Sequence, residues 1–189
     1  TEIGAALVAL DAMQPDLIGI NCATGPEEMS EHLRHLSQHS RVPVSVLPNA
    51  GLPSVVDGHM HYDLTAEQFV AHQLRFIEEF GVDVVGGCCG TTPEFIRGLA
   101  EGVQRVERPA RPGRFEHGVA SIYSPVYFGD DEEGAGGDSA TNLLLIGERT
   151  NANGSKKFRE AMLEADWDTC VQMAKDQVKE GSAILDVCV

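Results

Sequence analysis

The alternation of short apolar runs with helical segments constrains the fold of this sequence more than any other feature. Apolar runs typical of strands cover residues 16–22, 43–47 and 82–85. Segments with helical spacing cover residues 1–13, 27–39, 65–80 and 92–106. Thr65 and Gln68 match a capping box, and Gly81 stands where a helix ends. Strands that alternate with helices predict parallel βαβ units, and hence an α/β protein.

A second alternation follows a stretch of different composition. Proline is frequent after residue 108, and residues 129–137 (GDDEEGAGG) contain only acidic residues, glycine and alanine, which predicts a flexible linker over 108–141. The strand and helix pattern resumes with residues 143–146, 155–163, 167–180 and 184–189. We therefore expect a domain in 1–107, a linker in 108–141 and a second domain in 142–189.

Charge and length exclude several classes of protein. The 189 residues carry a formal net charge of −15, whereas nucleic acids and anionic membranes bind basic surfaces. No apolar run reaches the roughly 20 residues that span a bilayer, and no signal peptide is visible. The chain starts at Thr1 within a helical pattern and stops on an apolar run, so we expect both ends to cut through structure.

The cysteines indicate metal or thiol chemistry in a reducing cytoplasm. There are five, an odd number, and Cys88 and Cys89 are adjacent, which makes a disulfide framework a poor explanation. Cys22 and the Cys88–Cys89 pair each follow a predicted strand, and the carboxyl ends of parallel strands meet at one rim. Three thiolates there would hold one zinc ion and leave a position open for substrate. Inert buried cysteines, a structural zinc site and a vicinal redox pair are the alternatives.

Three segments resemble the homocysteine S-methyltransferase family. They are Asn21-Cys22-Ala23, Pro48-Asn49-Ala50-Gly51 and Gly86-Gly87-Cys88-Cys89-Gly90-Thr91. The resemblance implies the last strands of a homocysteine-binding barrel in which Cys22, Cys88 and Cys89 bind zinc. It also implies that Asn49 lines the homocysteine pocket and lends its amide oxygen to zinc when substrate is absent. An ordinary turn asparagine is the alternative for Asn49.

The second section resembles the opening of a pterin-binding barrel. Residues 143–151 (LLLIGERTN) and 181–187 (GSAILDV) carry this resemblance. It implies that Glu148, Asn151 and Asp186 bind the amide and amino edge of a folate. An ion pair between Glu148 and Arg149 is the alternative. Cys188 stands where many relatives have asparagine, so the amide that they carry there is absent.

The order of the two sections resembles the cobalamin-dependent 5-methyltetrahydrofolate–homocysteine methyltransferases. This resemblance implies parts of two (β/α)8 TIM-type barrels, because a complete barrel needs about 250 residues. It implies methyl transfer from 5-methyltetrahydrofolate through cobalamin to zinc-activated homocysteine, which gives methionine. Cobalamin would be bound by a module outside these residues, so the fragment alone would be inactive. His59 and His61 mimic a metal pair, but loop histidines are more often solvated, and we assign them no role.

Overall fold

A computed structural model describes residues 1–111, 116–128 and 143–189 of the chain. The flexible stretch predicted within the linker, around residues 130–140, lies outside the described residues. The structure divides into two units, Thr1–Pro125 and Val126–Val189, which we describe separately.

The first unit alternates strands with helices as the sequence predicts. In chain order its helices and strands are α1 (Ile3–Asp11), β1 (Ile18–Asn21), α2 (Pro26–His39), β2 (Val44–Leu47), β3 (Pro53–Val56), β4 (His59–Tyr62), α3 (Ala66–Phe80), β5 (Val84–Val85), α4 (Pro93–Gly102) and β6 (Gly118–Ala120). A 3₁₀ turn at Val103–Arg105 extends α4, and β7 (Pro125–Tyr127) begins at the last residue of this unit.

A parallel sheet in the order β1-β2-β5 forms the centre of the first unit. Ile18 pairs with Val44, and Ser45 pairs with Val84, so all three strands point the same way. Helices α1, α2 and α3 cover the sheet through one apolar core. The buried members of that core are Leu7, Ile18, Met29, Leu33, Leu36, Val44, Val46, Phe76 and Val82.

The predicted limits of helix α3 are confirmed. The Thr65 hydroxyl accepts a hydrogen bond from the Gln68 N–H, and the Gln68 side chain accepts one from the Thr65 N–H. These bonds satisfy two N–H groups that the first turn leaves free. Gly81 ends the helix in the left-handed region, with φ 64°.

The sequence did not predict the β-hairpin between β2 and α3. Strands β3 and β4 pair antiparallel, with Pro53 opposite Tyr62 and Val56 opposite His59. The two-residue turn places Asp57 at φ 51° and Gly58 at φ 78°, a combination that Asp-Gly turns favour. Short apolar stretches on both sides of such a turn predict a hairpin. Because Tyr62 pairs with Pro53, the hairpin brings it back to the end of β2.

The second unit contains β8 (Ile146–Asn151), α5 (Lys156–Leu163), α6 (Trp167–Lys179) and β9 (Ile184–Cys188). Strands β8 and β9 are parallel, with Ile146 opposite Ile184 and Asn151 opposite Cys188. Its buried cluster is Phe158, Ala161, Cys170 and Met173, so Cys170 is a core residue as the sequence predicts.

The α/β class is confirmed, and the finer architecture stays a prediction. Within the described residues neither unit closes a barrel, since the parallel sheets have three strands and two. Among those residues no helix is long and apolar enough to cross a membrane.

Candidate metal centre

The structure brings together the three cysteine sulfurs that the sequence singles out. The Sγ atom of Cys89 lies 3.7 Å from that of Cys22 and 3.8 Å from that of Cys88. All three sulfur atoms lie within 4.8 Å of one another. In the described part of the chain they form the one group of at least three metal-ligating side chains at such spacing.

Cys22 is held where β1 ends, in an uncommon backbone conformation. Cys22 and Ala23 have φ angles of 64° and 66°, although neither is glycine. The Cys22 N–H donates to the Leu47 carbonyl at 2.9 Å, and its own carbonyl accepts from the Thr24 N–H at 2.8 Å. The left-handed region costs a non-glycine residue roughly 1–2 kcal/mol. Such conformations therefore persist only where surrounding contacts impose them. The two bonds turn the Cys22 side chain toward the end of β5.

The Cys88–Cys89 pair follows β5 in a loop fixed by its main chain. The Cys88 N–H donates to the Pro48 carbonyl at 2.8 Å, and the Cys88 carbonyl accepts from the Thr91 hydroxyl at 2.7 Å. A Cβ atom at Gly87 would lie 2.5 Å from the Thr91 side chain, so only glycine fits there. The glycines flanking the pair therefore let the loop close tightly.

Asn49 ties the turn after β2 to the cysteine loop. Its side chain is buried, with 3% exposed, and its Oδ1 accepts the Cys89 N–H at 3.1 Å. The next residue, Ala50, donates its N–H to the Cys89 carbonyl at 2.9 Å. The structure thus places Asn49 against the main chain of Cys89, next to the cluster. Its role as an oxygen ligand of zinc stays a prediction. The hydrogen bond from the Cys89 N–H already occupies one of the two lone pairs of Oδ1.

The sulfurs differ in how readily they ionise. Hydrogen bonds from the Ala23 N–H, from Cys88 and Cys89 and from the Asn49 side chain lower the pKa of Cys22. Hydrogen bonds with Cys22 and Cys88, and the negative charge those two would carry, raise the pKa of Cys89. The Cys22 thiolate therefore forms at lower pH than the Cys89 thiolate.

Tyr62 is a neighbour of the cluster that sequence reasoning missed. Its ring packs on Gly90, where a Cβ atom would lie 2.5 Å from the ring carbons. Partial desolvation and the negative charge that Cys89 would carry raise the pKa of Tyr62. The sequence feature that could have revealed this contact is the Asp57-Gly58 turn, because the hairpin it forms carries Tyr62 back toward the site. His61 on the same strand instead pairs with Asp63, and its side chain is 59% exposed.

Of the residues predicted to bind folate, Asn151 ends β8, whereas Glu148 lies within β8 and Asp186 within β9. The Asn151 amide donates to the Asp186 carboxylate at 2.7 Å, so these two side chains meet across the strand pair. Asn153 donates to the Cys188 sulfur at 3.2 Å beside them. Glu148 is exposed on β8. Arg149 forms an ion pair with Glu180, and the folate role of Glu148 stays a prediction.

The sulfur spacing suits a zinc ion. Tetrahedral zinc binds thiolates at about 2.3 Å, which puts neighbouring sulfurs about 3.8 Å apart. Two of the sulfur–sulfur distances in this cluster, Cys22–Cys89 at 3.7 Å and Cys88–Cys89 at 3.8 Å, already match that spacing. Three thiolates leave the fourth position of the tetrahedron for an exchangeable ligand.

Comparison with known proteins identifies both sections. The sequence model of the homocysteine S-methyltransferase family matches residues 1–103, and that of pterin-binding enzymes matches residues 147–189. The whole chain is 50% identical to a methionine synthase of Mycobacterium tuberculosis over 189 residues, and 49% identical to one of Mycobacterium leprae over 194 aligned positions. It spans about 15% of the length of each of these relatives. With more than half of its length matched by the family model, this chain belongs to the homocysteine S-methyltransferase family.

Proposed function

We propose that this chain is part of an enzyme that transfers a methyl group from 5-methyltetrahydrofolate, through cobalamin, to homocysteine. The sulfur spacing of Cys22, Cys88 and Cys89 is the observation that carries the proposal, because it suits a zinc site with an open position. The identity to two methionine synthases and the order of the two family matches support the same reaction.

In this proposal Cys22, Cys88 and Cys89 would hold zinc, which would supply a binding position for the homocysteine sulfur. A free thiol with a pKa near 8.5 is mostly protonated at neutral pH, and only its thiolate is a good nucleophile. Zinc, when bound, supplies the positive charge that keeps the substrate sulfur deprotonated. The chain's own residues fix the geometry: Asn49 and Ala50 hold the Cys89 main chain, and Pro48 holds Cys88. The thiolate then attacks the methyl carbon, and the carrier leaves with the bonding electrons.

The second unit is proposed to bind the folate. Asn151 and Asp186 present an amide and a carboxylate that meet across two neighbouring strands, and such groups match the amide and amino edge of a pterin. Glu148 is the third candidate, on the same strand as Asn151. Cobalamin is assigned to a segment of the longer protein outside these 189 residues, so we expect no methionine from this chain alone.

We further propose that residues 1–107 and 142–189 are parts of two (β/α)8 barrels, with 108–141 between them. Parallel sheets are ordinarily covered on both faces. Ile146 on β8 is nevertheless 53% exposed, and Val187 on β9 is 63% exposed. Additional strands and helices of the longer protein would cover this apolar surface.

The decisive experiment is X-ray absorption at the zinc edge of the zinc-loaded chain. We expect about three sulfur ligands, and about four after homocysteine is added. Homoserine, which has a hydroxyl in place of the thiol, is the matched control and should leave the sulfur count unchanged. An unchanged count with homocysteine would point to a structural zinc site instead. A chain that takes up no zinc but consumes oxidant at Cys88 and Cys89 would point to a vicinal redox pair.

A further inference from the structure

Helix α3 buries one amide side chain against the cysteine loop, which comprises residues 86–91. Gln73 is 0% exposed and lies on the apolar face of α3, between Phe69 and Phe76, which are also 0% exposed. Its Nε2 donates to the Gly86 carbonyl at 2.7 Å, whereas no donor in the described part of the chain reaches its Oε1. An apolar residue would suit this face of the helix better, because burying an amide oxygen without a protein partner costs free energy. Packing alone therefore does not account for Gln73.

Gly86 is the point at which the cysteine loop leaves the sheet. Strand β5 ends one residue earlier, and the Gly86 N–H still donates to the Val46 carbonyl at 3.1 Å. The bond from Gln73 uses the second main-chain polar group of Gly86, so this residue is held by β2 and by α3 together. Gly86 and Gly87 are consecutive glycines, which gives the chain much conformational freedom immediately before Cys88. Holding Gly86 limits the directions in which the loop can continue.

Other contacts of the cysteine loop come from the turn after β2. The Cys88 N–H donates to the Pro48 carbonyl at 2.8 Å, and the Cys89 N–H donates to Asn49 Oδ1 at 3.1 Å. These bonds hold the two cysteines themselves, and the bond from Gln73 holds the segment that leads to them. The loop is thus fixed by a turn at one place and by a helix at another.

We infer that Gln73 is a positioning residue of the candidate metal centre, which fixes through Gly86 the path of the loop that carries Cys88 and Cys89. The inference rests on the proposed function, since it assigns the bond to metal binding. A tetrahedral zinc site requires its thiolates at defined positions. Loss of a group that orients the ligands of a metal typically lowers metal affinity about tenfold to a hundredfold. Gln73 acts through the main chain of the loop and not as a ligand.

The first test compares two buried positions on α3 in the 189-residue chain. Gln73→Met keeps an unbranched side chain of similar length and removes the amide, so the lost bond to Gly86 and the lost buried oxygen offset each other in the free energy of unfolding. We expect its zinc Kd, measured by competition with a zinc-binding dye, to rise about tenfold. We also expect a changed absorption spectrum when cobalt(II) replaces zinc. Phe76→Leu, one turn along the same face, is the matched control: it should lower the free energy of unfolding but leave the zinc Kd and the cobalt spectrum unchanged.

Three results would overturn the inference. The first is a zinc Kd and a cobalt spectrum in Gln73→Met that equal those of the wild-type chain. The second is an equal loss of zinc affinity in Gln73→Met and Phe76→Leu, because both losses would then come from a weakened core. The third is a Gln73→Met chain that fails to fold, since the amide would then be a requirement of the core and not of the loop.

Hydrogen exchange in the metal-free chain separates this inference from the proposed function. The N–H groups of Cys88 and Cys89 should exchange about three to ten times faster in Gln73→Met, because their hydrogen bonds open more often when the loop is not held. The Cys22 N–H, bonded to the Leu47 carbonyl at 2.9 Å, is the internal control and should keep its exchange rate. If the wild-type chain binds no zinc while exchange at Cys88 and Cys89 rises, the zinc proposal fails and the placement of the loop by Gln73 holds. Unchanged exchange at both cysteines would contradict the assignment of Gln73 itself.

Discussion

The sulfur atoms of Cys22 and Cys89 lie 3.7 Å apart, although the two residues are separated by 67 positions in the sequence. The contact exists because β1 and β5 both flank β2 in one parallel sheet, so that their carboxyl ends face the same way. Main-chain hydrogen bonds to Leu47 and Pro48 then hold each cysteine segment against the end of β2.

Replacing any one of the clustered cysteines should weaken zinc binding. Cys88→Ser removes one of three thiolates, and a serine hydroxyl is a poor ligand for zinc. We expect the zinc content after dialysis to fall from about one ion per chain to a small fraction of that value. Elemental analysis measures it. Cys188→Ser, a cysteine at the end of β9 and outside the cluster, is the control and should retain full zinc content.

In the metal-free chain, Cys22 should become reactive at lower pH than Cys89. Hydrogen bonding lowers the pKa of Cys22, so its thiolate persists below the pH at which an ordinary cysteine protonates. Hydrogen bonds with the other two cysteines, and their charges, raise the pKa of Cys89, so its thiolate forms only as the pH climbs further. Alkylation rates from pH 6 to 10, resolved by peptide mass spectrometry, test the order. Cys89 is the more exposed of the two, so a faster Cys89 at low pH would show that access, not ionisation, controls reactivity.

Zinc affinity should fall as the pH falls. All three ligands must be deprotonated to bind, so protons compete with the metal. Because the pKa of Cys89 is raised, this residue should be among the first to regain its proton when the metal leaves. A competition titration with a zinc-binding dye, repeated at several pH values, measures the effect. Affinity independent of pH between 6 and 8 would argue against thiolate ligands.

Asp186→Asn should weaken folate binding by the second unit. The change keeps the size of the side chain, but it replaces an acceptor-only carboxylate, which holds the Asn151 amide, with a group that also donates. We expect at least a tenfold rise in Kd for 5-methyltetrahydrofolate, about 1.4 kcal/mol. Isothermal titration calorimetry gives the value. Asp168→Asn, at an exposed position of α6, is the matched control. An equal loss of folate affinity in both variants would show that Asp186 does not bind folate.

Gln177→Leu should destabilise the second unit by about 1–3 kcal/mol, because it removes the acceptor of the part-buried Arg149 N–H. Gln177 is 1% exposed, and its Oε1 accepts the Arg149 N–H at 2.6 Å. Trp167, the single tryptophan, begins α6 and reports on this unit in a urea titration followed by fluorescence. Gln172→Leu, an exposed position on the same helix, should change the free energy of unfolding by less than about 0.5 kcal/mol.

Local sequence patterns were enough to predict most of the helices and strands. The capping box at Thr65 and the glycine at 81 set the limits of α3 because they act within a few residues along the chain. The glycine-flanked Cys88–Cys89 pair likewise indicated a tight loop at a strand end. The β3–β4 hairpin was missed because its strands have four residues each, too few for a clear period of alternation.

The sequence by itself determined which chemistry is available: three cysteines at strand ends and an α/β alternation that directs those ends to one side. Only the tertiary structure decided how the side chains meet. The 3.7 Å approach of Cys22 to Cys89 depends on strand order, and the contact of Tyr62 with the cysteine loop depends on the hairpin register. Both are long-range relationships, set by packing and main-chain hydrogen bonds between segments far apart in sequence. No local pattern of residues specifies them, because strand order and register are fixed only when the core has assembled.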